Sequence, residues 1–507
     1  MNIKLIIFIL FSALSFISLK SYAIIDYNNN CKNGFSNIIA LNHAETEKYL
    51  KLERINNPNN SVVDYLEVYS LFLKYATTEK EVLIDDFNDK LEVAVTKIKA
   101  EDMQEPYRLY MLADMYLESA LINAIDGNYF SAVFLFKKSY STINENIKLF
   151  PNFAPNNKTV GLLNVIIGSI PQSYNWALTL LNISGDIDKG LSNIETALKT
   201  SINNKEYKHL FVENLLLYTF MSDSYSKNKE SNVLLKNIIN DEKIIYNNKD
   251  NLIFIFAKAS YHQNMKENNE VIKSLQILHD KTVFVNSNFC YLNYMMGQSL
   301  LFKLNNRAIY YFESYINNYK GKNYIASAKQ KIAWSKLIAG DNAGYLKTKK
   351  SINTNEDEIT DSDKQAVKEA KSNDIPNVYL LKARLYFDGG YYHKADSIIT
   401  KGSKLNSYIS ERNKIEYIYR LGRINDEWGN NIKAEHYYKK TIDKAKDLKY
   451  FYAAKSALKL GNLYENEGNN DKALEMYNLI LDLDFDEYQN GITQKAKAGI
   501  NRITKQK

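Results

Sequence analysis

Prolines are scarce in this 507-residue chain: there are six, and Pro151, Pro155 and Pro171 fall within one short stretch. Proline breaks helix interiors, so the long spans without it favour helices. Cysteine is scarcer still. Two thiols, Cys31 and Cys290, exclude a disulfide framework, and whether these two pair stays open at their separation. The six histidines (His43, His209, His262, His279, His393, His436) are scattered, with no two at the i, i+4 spacing of a helical metal site. No metal or other cofactor is therefore expected. Charge of one sign is missing too: the formal net charge is +7, and the lysines are interspersed with acids. That pattern gives a solvated surface rather than a basic face for nucleic acid. Catalytic motifs are also absent. No G-x-S-x-G elbow occurs, and neither cysteine sits in a nucleophile-like motif. GDNAGYLKTKK (340–350) has one residue too few between Gly340 and Gly344 to cradle a phosphate, and Tyr345 and Leu346 separate the glycine from Lys347. The chain is not expected to be an enzyme.

Long apolar runs are lacking everywhere except at the start. Lys4 precedes LIIFILFSALSFISL (5–19), and Ser21-Tyr22-Ala23 places small residues where a signal peptidase reads them. That run falls short of the roughly 20 residues needed to span a bilayer. Residues 1–23 are expected to be a signal peptide cut after Ala23, leaving a periplasmic or secreted chain with no transmembrane segment and at most peripheral envelope association. Cys31 lies in NNNCKNG, well past the apolar run and without small residues before it, so no lipoprotein signature is present. Without Lys4 and Lys20, 63 basic residues face 58 acidic ones.

What the chain does have is tyrosine, 39 of them, and a repeat. Their number fits a low-GC coding bias that also favours Asn, Lys and Ile, so it does not argue for a sugar-stacking surface. GGYYHKA (389–395), GNNIKA (429–434) and GNNDKA (468–473) place Gly390, Gly429 and Gly468 39 residues apart, and Ala395, Ala434 and Ala473 likewise. Twelve residues before each alanine stand Ala383, Gly422 and Gly461; nine before stand Tyr386, Asn425 and Tyr464; four after stand Ile399, Tyr438 and Tyr477. Each unit reads as a helix, a glycine turn and an antiparallel second helix. Small residues at Gly422, Gly461, Ala434 and Ala473 are expected where the two helices cross. Tyrosines are expected to fill the space to the next unit. LGNLYENEGNNDKALEMY (460–477) and LGRINDEWGNNIKAEHYY (421–438) resemble the tetratricopeptide repeat, whose period is about 34 residues. Five extra residues per unit imply longer helices or connections.

The same turn grammar recurs in GNYFSA (127–132), GDIDKG (185–190) and KLNNRA (303–308), and no segment alternates with period two. The fold class is therefore all-α, a right-handed tetratricopeptide-like solenoid of antiparallel helix pairs. Residues 24–104 are expected to form an N-terminal helical region and 105–348 a repeat-like helical region. A polar joint is expected at 349–375, and the C-terminal array, with a closing helix over 489–503, at 376–507.

GLLNVIIGSIPQSYNWALTLLNISGD (161–186) combines glycines with apolar residues and has no basic residue, so helix packing is expected there and not a phosphate cradle. GLLNVIIGSIP reads as one helix stopped at Pro171, and SYNWALTLLNI as the next. Residues 161–191 also resemble a eukaryotic tetratricopeptide family built around a domain of unknown function, a resemblance that carries no catalytic residues.

The tetratricopeptide resemblance implies a concave surface lined by first helices. Carried over by position, its groove sites fall on Leu380, Tyr419 and Leu458, and four residues later on Arg384, Arg423 and Asn462. Phe387 lies three residues beyond Arg384. Arg384, Phe387, Tyr419, Arg423 and Asn462 are the candidate binding residues. A chaperone-type carboxylate clamp wants Lys or Asn at these sites, and only Asn462 complies, so that partner class is not supported. The expected function is an exported scaffold that binds an unidentified protein or peptide segment in the cell envelope. The alternatives are a helical small-molecule or glycan-binding protein for uptake and, third, an unrecognised enzyme. Tyr419→Ala with Arg423→Ala is expected to abolish capture while leaving the fold intact.

Overall fold

The computed structural model describes residues 25–102, 104–170, 183–225, 229–276, 289–354 and 360–504. The expected signal peptide and its cleavage point lie outside the described residues, as does the expected helix SYNWALTLLNI from Ser173 to Asn182. Every described element is a helix, with no strand among the described residues, and consecutive helices pack as hairpins in an all-α tetratricopeptide-like solenoid. The contacts divide the chain into two units, Met1–Ala257 and Lys258–Lys507.

Two sequence devices make the hairpin turns. Gly390, Gly429 and Gly468 stand at φ +79°, +69° and +77°, left-handed values that side chains resist, so glycine ends each first helix. An asparagine then starts the second: Asn430 Oδ1 accepts the Lys433 N–H at 3.4 Å, and Asn469 Oδ1 accepts that of Lys472 at 3.3 Å. The stretch GDNAGYLKTKK obeys the same grammar. Gly340 is at φ +88°, and Asp341 caps the Gly344 N–H at 2.8 Å to open the helix Asn342–Lys350.

In the C-terminal array the helix pairs are Val378–Asp388 with Tyr392–Lys404, Glu411–Glu427 with Asn431–Ala445, and Tyr452–Asn466 with Asn470–Asp482. A further helix, Gln489–Thr504, packs against the last pair. The added length per unit lies in first helices of up to 17 residues and in the connections 405–410 and 446–451. Ala395, Ala434 and Ala473 are wholly buried. A Cβ built on Gly422 would lie 2.8 Å from the Tyr438 ring, and one on Gly461 2.6 Å from the Tyr477 ring. Tyr438 and Tyr477 thus fill the hollow left by their own unit's glycine, and Tyr477 also reaches the helix that follows, as the spacing suggested. In the first unit the same two positions hold Ala383 and Ile399, a larger and a smaller side chain in one core cluster. Gly499 on the last helix encloses Tyr477 from the other side.

Residues 349–375 depart from the expected joint. They include the helix Asp361–Lys371, two of whose acids, Asp363 and Glu369, hold donors of the preceding helices. Asp363 is 0% exposed and accepts the backbone N–H groups of Tyr324 and Ser327 at 2.6 and 2.8 Å, capping the helix Ile325–Ile338. Glu369 accepts from Trp334 Nε1 at 3.0 Å, Gln330 at 2.7 Å and the Tyr345 hydroxyl at 3.2 Å. Two of the polar residues of this stretch thus satisfy donors of the two helices before it.

In the N-terminal half, the helices Asn156–Ser169 and Ile187–Asn203 cross at glycines. A Cβ on Gly161 would lie 2.9 Å from the Gly190 carbonyl, one on Gly190 2.7 Å from the Gly161 carbonyl, and one on Gly185 2.6 Å from the Asn164 carbonyl. The backbones nearly touch, which is the helix-packing arrangement expected from the glycines. The first of these helices stops at Ser169, with Ile170 at ψ 126°, the extended conformation a following proline demands.

Tyrosine dominates the core: Tyr65, Tyr110, Tyr218, Tyr294, Tyr315 and Tyr345 are among the largest fully buried side chains. Their hydroxyls need partners, and acids supply those of Tyr65, Tyr218 and Tyr345, while Tyr294 pairs with Ser327 and Tyr315 donates to the Asn323 carbonyl. Tyr65 donates to Asp114 at 2.8 Å and Tyr69 to Glu213 at 2.7 Å, and Lys158 bridges the two carboxylates at 2.7 and 2.9 Å. Glu118, 3% exposed beside them, has no hydrogen-bond partner on either carboxylate oxygen among the described residues. Burial, reinforced by the Asp114 charge, pushes its pKa well above the usual carboxylate range. Cys31 and Cys290 are both buried, with no disulfide among the described residues, and burial pushes the Cys31 thiol up to about 12.

This packing makes two outcomes measurable. Gly422→Ala and Tyr438→Ile should each lower the melting temperature, while the double variant, which copies the Ala383–Ile399 pairing, should lose less than the sum, a coupling of about 0.5–3 kcal/mol in a double-mutant cycle. Strict additivity would mean that the two positions do not share one hollow. For Glu118, the folded chain keeps a proton that the unfolded chain releases, so stability falls as pH rises above the ordinary carboxylate range until Glu118 ionises in place. Glu118→Gln should remove that slope, gaining on the wild type between about pH 5 and pH 8 in thermal melts; parallel melting curves across that interval would refute it.

Candidate binding groove

The first helices of the array carry residues three and four apart on one face: Leu380, Arg384 and Asp388 on the first, Glu416, Tyr419 and Arg423 on the second. These residues line a cavity of about 940 Å³ together with Trp334, Glu369, Lys455 and Lys495. Aromatic and charged groups alternate along its wall. Arg420 holds Glu416, whose other oxygen accepts the Tyr452 hydroxyl at 2.9 Å. Burial opposes the Glu416 charge, but Arg420 and the Tyr452 hydroxyl outweigh it and hold the carboxyl below its usual range. Arg412 and Lys368 share Glu487 at 3.0 and 3.4 Å.

Of the five candidate residues, the cavity brings together Arg384, Tyr419 and Arg423. The Arg384 side chain is 40% exposed, with its guanidinium 5.1 Å from the Trp334 ring centre and 3.7 Å from Asp388. Arg423 lies 3.6 Å from the other Asp388 oxygen and 4.0 Å over the Phe387 ring. Phe387 itself is 3% exposed and does not line the cavity; it is the platform on which Arg423 rests. Asn462 also stands away from the cavity, with its Oδ1 2.8 Å from the Tyr477 hydroxyl. Leu458 is buried in the array core.

Tyr419 needs the largest correction. The groove position implied an exposed plate, but the residue is 3% exposed, with the Phe451 and Tyr452 rings 6.0 and 5.5 Å away. Its ring belongs to the core cluster of the second and third pairs, so truncating it unsettles the fold. Sequence reasoning missed Trp334, Glu369, Lys455 and Lys495. Lys455 carried a signal, since it lies three residues before Leu458 on the same helix. Lys495 carried none, because the last helix lies beyond the repeat pattern.

Ser327 and Lys331 form a close serine–lysine pair. Lys331 Nζ lies 2.6 Å from Ser327 Oγ, and burial, followed by the nearby Arg384 charge, draws the lysine down to about 7. Such a pair suits nucleophilic catalysis only where substrate can reach the hydroxyl. Ser327 is 0% exposed and neither residue lines the cavity, so the pair belongs to the packing. Among the described residues, no three His, Cys, Asp or Glu side chains are grouped to hold a metal, and no helix is long and apolar enough to cross a membrane.

The tetratricopeptide repeat family model matches residues 454–487, which span the third helix pair and the short connection to the last helix. No curated protein matches the chain. Among solved structures, the human IFIT1 dimer with m7Gppp-AAAA is 13% identical, covering 90% of this chain and 90% of that chain at a TM-score of 0.31. The same human protein with PPP-AAAA is 14% identical over 90% and 94% at 0.32, and the APC/C hetero-tetramer Cut9–Hcn1 is 11% identical over 93% and 89% at 0.24. Likenesses this distant carry nothing about a ligand.

Tyr419→Ala should lower the melting temperature markedly, since truncating a buried aromatic residue costs about 3–5 kcal/mol. Tyr419→Phe, which keeps the ring, should melt near the wild type. If the alanine variant melts with the wild type, the ring is groove surface after all.

Proposed function

Because the chain is a tetratricopeptide-repeat protein in its C-terminal array, we propose that it is an interaction scaffold that receives an extended protein segment in this groove. The cavity of about 940 Å³ carries the reading. It is long enough to involve the first helices of all three pairs and the last helix, and it offers both signs of charge beside aromatic rings. Arg384 and Arg423 are held in place by Asp388 and by the rings of Trp334 and Phe387. Donors fixed in this way lose little freedom when a segment binds. The N-terminal run supports a second part of the proposal, that the scaffold works outside the cytoplasm after removal of residues 1–23.

An array of immobilised 12-residue peptides, probed with the purified mature chain, tests the first part. A subset should bind wild type and lose binding to Arg384→Glu, which should remain folded at the assay temperature because the side chain is 40% exposed, although a carboxylate beside Asp388 lowers its melting temperature. Equal binding by the two proteins would move the surface elsewhere. Intact mass of the exported protein tests the second part: a chain beginning at Ile24 is expected, and retention of residues 1–23 would overturn it.

A further inference from the structure

Along most of the groove each cation already has a carboxylate. Arg384 and Arg423 share Asp388, Arg412 and Lys368 share Glu487, and Arg420 holds Glu416. The pattern breaks on the third and last helices of the lining. Lys455 and Lys495 have no ion pair and no side-chain hydrogen bond among the described residues, although both line the cavity. The charged groups acting on Lys455 are all cations, namely Lys495 on the last helix, Arg423 on the first helix of the second pair, and Lys459 one turn on in its own. Lys459 has its own partner in Asp426 at 3.6 Å, and Arg423 has Asp388 at 3.6 Å. Burial, followed by Lys495, Arg423 and Lys459, draws the Lys455 ammonium down to about 8. A half-buried amine among like charges is held in an unfavourable state that an added anion relieves. The surroundings favour one on a peptide: Phe451 and Tyr488 line the same cavity and offer ring faces and edges to an extended chain.

We propose that Lys455 and Lys495, the unmatched cations, form a seat for carboxylate side chains of the bound segment, so that the partner segment is acidic where it passes the last helix of the array. This rests on the groove reading above and names the chemistry of its occupant. The positions differ from those of a chaperone-type carboxylate clamp, because Lys455 precedes the carried-over site Leu458 and Lys495 lies outside the repeats.

The test uses the full mature chain and three fluorescein-labelled, acetylated 12-residue peptides of one tyrosine-containing framework, with glutamate, glutamine or lysine at four positions. The glutamate peptide should bind about tenfold or more tighter than the glutamine peptide at low salt, the worth of one charge-assisted hydrogen bond. Lys455→Met and Lys495→Met should each remove most of that advantage while the glutamine peptide still binds, and neither should lower the melting temperature, which Lys455→Met should raise by removing a half-buried charge among like charges. Binding of the glutamate peptide at pH 8 should also take up protons in wild type and not in Lys455→Met, measured by calorimetry in buffers of different ionisation enthalpy. If both variants keep the full glutamate advantage, the carboxylate seat is overturned while the groove reading stands. If no peptide binds, or binding ignores Arg384→Glu, the groove reading itself fails and takes the seat with it. Binding of polygalacturonate without the glutamate peptide would likewise overturn the proposal in favour of an anionic glycan.

Discussion

Two helices can approach closely only where one of them offers almost no side chain, and in this chain such positions determine how the helix pairs lock. In the N-terminal half the constraint appears in its barest form, with Gly161 and Gly190 each facing the other's carbonyl across the crossing. In the array it takes a second form, in which the glycine leaves a hollow and a tyrosine from the returning helix fills it. Glycine and tyrosine are then one packing unit divided between two helices. Because the pair is locked from within, the first helix is held at a fixed angle to the second, and the groove side chains on its other face inherit that rigidity.

A tyrosine-built core brings an obligation that a leucine core would not. Each buried hydroxyl needs an acceptor, and a buried carboxylate that serves as acceptor needs further donors or a counter-charge. Lys158 between Asp114 and Glu213 meets that need in the N-terminal half, and Arg502 meets it in the array by forking onto Glu465, the acceptor of Tyr477, at 2.9 and 2.8 Å. Asp363 and Glu369 show the same logic in a stretch whose composition suggested a linker. Sequence polarity signals exposure only when the polar groups have no internal donors to satisfy.

The parts of the structure legible in advance were those set by local backbone rules. Glycines 39 residues apart marked the turns because a left-handed residue is needed there, and the asparagines after them marked helix starts because they cap them. The illegible parts depended on what lies across the gap. Nothing local distinguishes Tyr438 facing its own glycine from Tyr438 facing the next unit. Nor does anything local show that Phe451 and Tyr452, more than 30 residues on in the sequence, cover Tyr419. Arg384 and Arg423 were readable because a long cationic side chain extends past its neighbours to the surface whatever packs beneath it.

That difference between buried rings and extended cations bears on how the groove selects. Asp388 lies between Arg384 and Arg423 at 3.7 and 3.6 Å, contacts long enough to orient the guanidiniums without saturating their donors. A ligand meeting these arginines competes with an internal carboxylate already in place, so they contribute geometry and discriminate weakly between charged and neutral partners. Lys455 and Lys495 have no such internal competitor among the described residues. On the proposed reading, selectivity for charge therefore concentrates at the end of the groove where cations are unmatched among the described residues, while the matched arginines and their aromatic supports hold the shape that a segment would fit.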